Sequence, residues 1–253
     1  MRVISVMNLK GGVGKTTTAV NMAAILAREH GLRVLVVDAD PQGNASWFFG
    51  FWEETSRTLY DILEGVEEDV ALSCIRATPI DGVDLIPAAM DLHLLDVDAG
   101  DGHRNFGRLR AYLREVESLA GYDIVLIDCP PNFSISSIEA ILACEEILIP
   151  VKPDGFVFGG IRELKKQVEG VQRVSPTVTI AGALVTMWHN SDAVRAGETA
   201  LRENSGLHVF RTMIRRTDKV DESTFARQTL DTWSPYSSAG RDYRAFVAEY
   251  MGV

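Results

Sequence analysis

A glycine-rich segment constrains this chain more than any other feature. It reads K-G-G-V-G-K-T-T over residues 10–17, after the apolar run Val3–Met7 and before a helical pattern that starts at Thr17. Glycines let backbone N–H groups turn around an anion, because no Cβ blocks the close approach. The helix start adds unpaired N–H groups and the positive end of the helix dipole. The segment therefore predicts a phosphate-binding loop between a strand and a helix.

The side chains of the loop predict more than phosphate contact. Lys15 would supply a cation for the outer phosphates, and the Thr16 hydroxyl would ligate Mg²⁺. These features predict that the loop binds a nucleoside triphosphate, although they do not say how its energy is used. The loop residues expected to bind the cofactor are Gly11, Gly12, Val13, Gly14, Lys15, Thr16 and Thr17.

The loop departs from the common pattern at two positions. G-x-x-x-x-G-K-[ST] would place glycine at position 9, where Leu9 stands, and a second lysine, Lys10, precedes the glycines. The alternative is a glycine-rich turn with an ordinary surface lysine. Three glycines, the Lys-Thr pair and the flanking strand and helix at the right offsets speak against that alternative.

Carboxylates follow the second predicted strand, in a segment that reads V-V-D-A-D-P-Q-G-N from Val36 to Asn44. Asp38 and Asp40 leave this strand where the phosphates are expected to lie. A carboxylate there can hold Mg²⁺ through water or orient an attacking water. An isolated D-x-D-P is normally a solvated turn, but after V-L-V-V in a chain with a phosphate loop the functional interpretation is favoured.

A further strand ends in the same way. Four apolar residues, Ile124–Ile127, precede Asp128. This is the second signature of nucleoside-triphosphate sites, in which the carboxylate reaches Mg²⁺, usually through water. The predicted metal ligands are therefore Thr16, Asp40 and Asp128.

Length and charge limit the function classes. The chain has 253 residues and a formal net charge of −10, which does not suggest a general nucleic-acid binder. Any contact with DNA would need a local basic patch. We find no repeat, low-complexity tract or convincing linker, and we predict a single domain over 1–253.

The cysteines and the apolar runs argue against metal-binding, disulfide-bonded, secreted and membrane-spanning proteins. An odd number of cysteines without a C-x-x-C argues against a disulfide scaffold, a zinc site or an iron–sulfur cluster, and fits a reduced cytosolic compartment. The first strand is expected to begin at residue 2, which leaves no room for a signal peptide. No apolar run approaches the roughly 20 residues that span a bilayer.

Apolar runs and helical patterns alternate along the chain. The runs lack a period of two, as expected for strands covered on both faces. They predict an α/β fold, doubly wound, with a mostly parallel sheet and helices on both faces. Ligands of such folds lie beyond the carboxyl ends of the strands, where the glycine loop is placed. Besides the first strand, the predicted buried strands are Arg33–Asp38, Asp123–Asp128, Glu146–Val151 and Ile180–Thr186, and the predicted helices are Asn105–Leu119, Ile135–Cys144, Val157–Val174 and Ala193–Glu203.

The stretch Gly43–Arg104 is less regular. A short helix is predicted over Leu59–Leu63 and a strand over Val83–Ile86. Residues Asp96–Arg104, with Gly100 and Gly102, predict an exposed, mobile loop.

In this order, K-G-G-V-G-K-T-T-T, V-D-A-D-P-Q-G-N and I-D-C-P-P-N resemble the ParA-type partition ATPases of bacterial plasmids and chromosomes. These belong to the deviant Walker A class of P-loop NTPases, which includes MinD. The resemblance covers essentially the whole chain. It is strongest over residues 1–50 and 120–160 and looser after 185.

The resemblance implies ATP and Mg²⁺ as cofactors and ATP sandwiched in a homodimer. Lys10 would reach the partner's phosphates as an arginine finger does in other NTPases, and Asp40 would position the hydrolytic water. Asp38 would lie beside Asp40 as a further cofactor-binding residue, and Asp128 would support the metal. Pro130–Phe133 corresponds to a switch that senses the γ-phosphate. Met187, with Thr186, ends the strand that normally runs beside the adenine.

The stretch Phe210–Lys219, called here the C-terminal basic segment, resembles a family stretch that usually reads I-P-R followed by a basic residue. Arg215 replaces the proline. Over 195–227 seven basic and five acidic residues leave a local net charge of +2. From charge alone, a solvated mixed surface and a DNA site are equally supported. Because dimers of the family hold DNA nonspecifically with basic residues in this region, Arg215, Arg216 and Lys219 are the predicted DNA-binding residues.

The last predicted helix, Arg241–Met251, places apolar side chains such as Tyr243, Phe246 and Val247 on one face. Such a stripe usually docks on a core. A membrane anchor of the MinD kind would need a lysine-rich polar face, which is absent here. We therefore predict a core-docking helix and no membrane contact.

The resemblance implies a cytoplasmic, nucleoid-associated Mg²⁺-ATPase that segregates DNA and is stimulated by a ParB-like centromere-binding protein. One alternative is an ATPase that positions another cargo, or a membrane-acting MinD-like regulator. A metabolic P-loop enzyme related to dethiobiotin synthetase is disfavoured by Lys10 and D-P-Q-G-N. A DNA-binding repressor of the ParA type would carry an N-terminal helix-turn-helix, for which a strand beginning at residue 2 leaves no room.

Overall fold

A computed structural model describes residues 1–51, 57–65, 72–98 and 105–253. The strands are β1 (Arg2–Val6), β2 (Val34–Asp38), β3 (Arg76–Ala77), β4 (Val83–Ile86), β5 (Ile124–Asp128), β6 (Glu146–Val151), β7 (Thr179–Trp188) and β8 (Val209–Arg215). The helices are α1 (Lys15–His30), α2 (Asn44–Phe49), α3 (Leu59–Glu64), α4 (Leu92–Asp98), α5 (Arg108–Ala120), α6 (Ile135–Ala143), α7 (Val157–Gln172), α8 (Asp192–Asn204), α9 (Asp218–Ala226), α10 (Leu230–Trp233) and α11 (Ser238–Met251).

The strands of the described residues pair in one sheet of order β3-β4-β2-β5-β1-β6-β7-β8. All neighbours are parallel except β3 and β4, which are antiparallel at one edge. The strand that leads into the glycine loop, β1, lies inside the sheet between β5 and β6. The carboxyl ends of β1, β2 and β5 therefore meet at one edge, which is where the predicted site residues are.

Both faces of the sheet are covered by helices. In β2, Leu35 and Val37 pack into one core cluster, while Val34 and Val36 pack into the other. Helices α3 to α8 contribute to the first cluster, and α1, α2, α10 and α11 contribute to the second. Because a strand points successive side chains to opposite faces, a run that is apolar at every position is buried on both sides. The predicted doubly wound α/β fold is confirmed.

The buried strands predicted after the first one are confirmed within two residues at each end, and the strand Val83–Ile86 is confirmed as β4. Helix α5 begins three residues later than Asn105, the predicted start. Gly107 precedes it with a φ of 91°, a left-handed conformation outside the helical range. Side chains of α6 support this start, because Glu139 accepts hydrogen bonds from the N–H groups of Gly107 and Leu109.

The prediction of an exposed loop over Asp96–Arg104 is wrong at its beginning. Residues 96–98 continue α4, since Leu92 and Leu95 are buried in the core and fix the helix on it. Asp96 also accepts a hydrogen bond of 2.8 Å from the N–H of Ile135. Residues 99–104 lie outside the described ranges.

The apolar stripe of the last helix docks inward, as predicted. Tyr243, Phe246 and Val247 of α11 are at most 2% exposed and pack in the second core cluster. The stripe is therefore occupied by the protein's own core. Among the described helices, none combines the length and the apolarity that crossing a bilayer requires.

Candidate functional site: a phosphate loop facing buried carboxylates

The glycine loop joins β1 to α1 and adopts a conformation that requires glycine at two positions. Gly12 has a φ of 69°, and Gly14, which precedes the first residue of α1, has a φ of 85°. Side chains with a Cβ rarely adopt this region. Gly14 has no side chain to cap α1, so the first N–H groups of the helix remain available to an anion.

Lys15 lies inside the site. It is 7% exposed, and its Nζ donates a hydrogen bond of 3.2 Å to the carbonyl oxygen of Lys10. Burial lowers the pKa of the Lys15 ammonium, while the carboxylate of Asp128 acts in the opposite direction. An ammonium buried in this way has a strong requirement for negative charge nearby.

Two carboxylates end adjacent strands in register with each other. Asp38 at the end of β2 pairs with Asp128 at the end of β5, and Asp128 also pairs with Val6 at the end of β1. Both oxygens of Asp128 are buried, and neither accepts a hydrogen bond from the described residues. Burial raises the pKa of Asp128 well above its usual range, and the charge of Asp38 adds to the shift, while the Thr16 hydroxyl and Lys15 act against it. Asp128 is therefore a buried carboxylate that has the Thr16 hydroxyl beside it, and no described residue forms a full hydrogen bond to either oxygen.

Asp38 serves the turn that follows its strand. One oxygen accepts a hydrogen bond from the N–H of Asp40, and the other accepts bonds of 2.7 Å from both the N–H and the hydroxyl of Ser46. Burial raises its pKa to about 7 against these hydrogen bonds. Asp38 therefore fixes the start of α2 and lies behind the residues that line the site. The sequence analysis had instead expected Asp38 to contact the cofactor.

Asp40 lies at the surface of the site. It is 7% exposed, and its Oδ1 accepts a hydrogen bond of 2.9 Å from the N–H of Gln42, which orients the carboxylate. The second predicted carboxylate of the D-x-D pair thus faces the phosphate loop, while the first supports the turn that carries it.

The donor set fits Mg²⁺. The described residues contain no cluster of three or more His, Cys, Asp or Glu side chains that could hold a metal by themselves. Mg²⁺ is usually held by one or two carboxylates together with waters and phosphate oxygens, so such a cluster is not required. Asp128 offers two oxygens to which no described residue forms a full hydrogen bond, and the Thr16 hydroxyl lies beside it.

A cavity of about 490 Å³, called here the first cavity, opens in front of the phosphate loop. Pro131, from the segment Pro130–Phe133 that the family resemblance places near the γ-phosphate, lines it together with loop residues and Asp40. The lining also includes residues that sequence analysis missed: Val20, Asn21, Gln42, Asn44, Trp47, Phe48, Ser223 and Thr224. Gln42 and Asn44 belong to D-P-Q-G-N, so that motif could have indicated them. Ser223 and Thr224 come from α9, which no sequence signal connects to the loop.

A second cavity of about 300 Å³ lies on the other side of Gly14 and Thr17. Met187, the predicted adenine neighbour, lines both cavities and has a φ of 53° without being a glycine. Such a conformation is strained for a residue with a Cβ, and strained residues of this kind tend to cluster at functional sites. Arg215, Arg216 and His189 also line the second cavity, which places two residues of the C-terminal basic segment near the loop.

Lys10 points elsewhere than Lys15. Its Nζ forms an ion pair with Asp154, in the connection between β6 and α7, and lies 5.5 Å from the centre of the Phe156 ring. Lys10 is not among the residues that line the first cavity. Asp154 is 144 residues away in sequence, and no sequence signal indicated the contact. The two lysines of one loop therefore have separate surroundings.

The C-terminal basic segment is mostly neutralised by ion pairs. Arg215 forms a bidentate pair with Asp242, with hydrogen bonds of 2.6 to 3.2 Å, and its N–H also bonds that carboxylate. Lys219 pairs with Glu222 at 2.7 Å. Arg216 is exposed, and its side chain has no polar partner within the described part of the chain.

Known proteins resemble this chain over most of its length. The family described as AAA domain matches residues 1–180. The chromosome-partitioning ATPase Soj of Thermus thermophilus is 36% identical over 253 residues, covering 99% of this chain and 96% of that protein. The chromosome partitioning protein ParA of Caulobacter vibrioides is 35% identical over 234 residues, covering 91% of this chain and 86% of that protein.

A solved structure shares the fold and was determined with ligands. It is described as cobyrinic acid a,c-diamide synthase from Mycobacterium smegmatis with bound ATP analogue and magnesium. It superposes with a TM-score of 0.81 at 28% identity and covers 98% of this chain and 93% of that structure's chain.

Proposed function

The chain belongs to the ParA family of partition ATPases, and from this premise we propose that it segregates or positions DNA through an ATP-dependent dimer. It is an ATPase, and ATP and Mg²⁺ are its cofactors. The proposal treats residues 1–253 as one cytoplasmic, nucleoid-associated ATPase domain. The finer steps are dimerisation on ATP, nonspecific DNA binding and hydrolysis stimulated by a ParB-like partner.

The separate surroundings of Lys10 and Lys15 carry the proposal. Lys15 faces the first cavity from inside, while Lys10 is held outward by Asp154 and Phe156. A phosphate loop that works in a monomer needs only the cation of Lys15. Two ammonium groups on one loop repel each other unless phosphate charge lies between them. A dimer that shares ATP provides this charge, because Lys10 can leave Asp154 and contact the partner's nucleotide.

The buried carboxylates support the proposed hydrolysis. Asp128 would hold Mg²⁺ through water together with Thr16, and Mg²⁺ would neutralise charge that develops on the phosphates. Asp40, oriented by the N–H of Gln42, would position the attacking water or contact the metal through water. Asp38 would keep the turn in place through Ser46.

DNA binding is proposed for the C-terminal basic segment, through Arg215, Arg216 and Lys219. Arg216 is the part of this proposal with the strongest support, since its side chain is exposed and unpaired among the described residues. Arg215 and Lys219 would first have to leave Asp242 and Glu222.

The experiment that tests the dimer is sedimentation velocity of Lys10→Ala with Mg²⁺–ATP. We expect the variant to bind ATP as a monomer and to lose ATP-dependent dimerisation and hydrolysis. Lys219→Ala, which removes a paired surface lysine elsewhere, is the matched control and should dimerise. When Lys10→Ala is mixed with Asp40→Ala, some heterodimers should form, because an intact Lys10 then faces one site. A Lys10→Ala protein that dimerises and hydrolyses ATP like the parent would refute the proposal.

A second candidate function is phosphoryl transfer to a small acceptor. The likeness to a structure described as a synthase favours it, and the first cavity extends beyond the phosphate loop to Asn21, Asn44 and Thr224. The two functions differ in one measurement. ATP turnover without any added acceptor, lost in Lys10→Ala, supports the partition ATPase, while turnover that depends on an acceptor and survives in Lys10→Ala supports the synthase.

A further inference from the structure

Cations without a polar partner concentrate in one stretch of the described residues. Ion pairs occupy Arg195, Arg202, Arg211, Arg215 and Lys219 in the C-terminal third. By contrast, none of Lys152, Arg162, Lys165, Lys166 and Arg173 forms an ion pair or a side-chain hydrogen bond with a described residue. All five lie between the end of β6 and Arg173, the residue that directly follows α7. Against the three acidic residues of the same stretch, Asp154, Glu163 and Glu169, they leave a local net charge of +2 over residues 152–173 in a chain of −10.

Three of these cations share one face of α7 and line a groove. Arg162, Lys165 and Lys166 are spaced at i, i+3 and i+4, a spacing that places side chains on the same side of a helix. The groove has a volume of about 310 Å³ and runs between α7 and the end of α8. Lys165 extends across it, because a Cβ added to Gly206 would lie 3.4 Å from its Nζ. Asn204 and Ser205 form the opposite wall.

The chemistry of the groove suits phosphate oxygens. Arg, Lys, Ser and Asn are the side chains that usually contact DNA backbone phosphates. Phe158 and Ile161 are the apolar side chains among its lining residues, and Ile161 is buried in the core at 4% exposure. A protein segment bound there would find few apolar anchors, which usually supply most of the energy of protein–protein contacts.

We propose that this α7–α8 groove binds backbone phosphates of duplex DNA and extends the DNA contact beyond the C-terminal basic segment. The inference rests on the proposed DNA-binding function and adds the surface that carries most of the binding. Binding through phosphates depends on the number of cations that neutralise them. Arg215 is held by a carboxylate that is itself 8% exposed, whereas the cations of α7 form no ion pair with any described residue that would have to break.

One carboxylate in the groove allows a test in which DNA affinity should rise instead of fall. Glu169 lines the same groove as the three cations. Its charge opposes phosphate binding, so removing it should strengthen DNA binding, while removing the cations weakens it. A merely structural effect on α7 would not change sign in this way.

The test compares the triple variant Arg162→Gln, Lys165→Gln, Lys166→Gln with the parent chain. Binding to a fluorescent duplex of arbitrary sequence is measured by anisotropy at several salt concentrations, with Mg²⁺ and a non-hydrolysable ATP analogue. We expect the slope of log affinity against log salt to fall by about 2 to 3, since each phosphate contact contributes about 0.9, and affinity at 0.1 M salt to fall at least about tenfold. Glu169→Gln should bind severalfold more tightly.

The matched control removes the same number of charges elsewhere. Arg33, Arg76 and Arg114 lie before β2, in β3 and in α5, away from the α7–α8 groove. Their triple change to Gln should leave the slope within experimental error of the parent. ATP-dependent dimerisation and DNA-free ATPase should be retained in both triple variants, which shows that they are folded.

Several results would overturn the proposal. An α7 triple variant with the parental slope and affinity would do so, as would a control variant with an equal loss. Unchanged DNA binding together with loss of stimulation by a ParB-like partner would make the groove a protein-binding surface instead. A parent chain that binds no DNA would refute the proposed DNA-binding function as well, whereas parental binding that survives the triple change refutes only the groove.

Discussion

The phosphate-loop centre and the C-terminal basic segment both concentrate charge, but they hold it in opposite ways. At the centre, Lys15 and Asp128 are buried, and the carboxylate has no hydrogen-bond donor among the described residues. In the basic segment, the side chains of Arg215 and Lys219 are nearly half exposed, yet each forms an ion pair. An unsatisfied buried polar group costs about 1 to 3 kcal/mol, and more when it is charged. Such a cost indicates a group kept for a ligand, while paired surface charges need no ligand to explain them.

Because the charges at the centre are kept for a ligand, we expect the largest loss of ATP turnover when Asp40, which lines the cavity in front of the phosphate loop, is replaced. Asp40→Ala should lower the turnover of ATP by about 10²- to 10⁴-fold, the usual contribution of a positioned acid–base group. ATP affinity should change little, because such a carboxylate acts mainly in the transition state. Turnover and calorimetric affinity measured on the same preparation decide the matter, and the ATP-bound dimer should accumulate. Parental turnover in the variant would remove Asp40 from the mechanism.

Lys15 should give the next largest effect. Lys15→Ala should weaken ATP binding about 100-fold, since a charge-assisted hydrogen bond is worth up to about 3 kcal/mol. Isothermal titration calorimetry with Mg²⁺–ATP measures the change, and Lys219→Ala serves as a control that keeps its affinity. Equal affinities in the two variants would contradict the phosphate-loop assignment and the contrast between the two regions.

The centre was largely predictable from sequence because local rules determine it. Gly12 and Gly14 occupy conformations that favour glycine, and apolar runs buried on both faces end in Asp38 and Asp128. The contacts of Lys10 with Asp154 and of Arg215 with Asp242 were not predictable. They join residues 144 and 27 positions apart, and only the packed sheet brings these together. The charge count over 195–227 was correct, but it could not show which cations were already paired.

Breaking the Lys10 ion pair should have a smaller effect than the two changes above, and it should strengthen dimerisation instead of impairing function. Asp154→Asn should release Lys10 and raise ATP-dependent dimerisation about two- to fivefold, since a partly exposed ion pair contributes up to about 1 kcal/mol. Sedimentation velocity over a range of protein concentrations gives the dimer constant. Glu222→Gln, which breaks the surface pair of Lys219, is the control and should leave it unchanged. Weaker dimerisation of Asp154→Asn would mean that Asp154 supports the dimer face instead of holding Lys10 back.

The smallest expected effect is a difference in the salt dependence of DNA binding between Arg215 and Arg216, which are adjacent in the C-terminal basic segment. Arg216→Gln should reduce the salt slope of DNA binding by about 1, since an unpaired arginine neutralises about one phosphate. Arg215→Gln should change that slope less, because its guanidinium is bound to Asp242 in the free protein. It should instead lower the melting temperature by about 2 to 4 °C, as expected for a loss of roughly 1 kcal/mol in a chain of this size. Anisotropy titrations and thermal unfolding of both variants give the two numbers. If the two arginines change the slope equally, pairing in the free protein does not decide which cations meet DNA, and the contrast between the two regions no longer holds for binding.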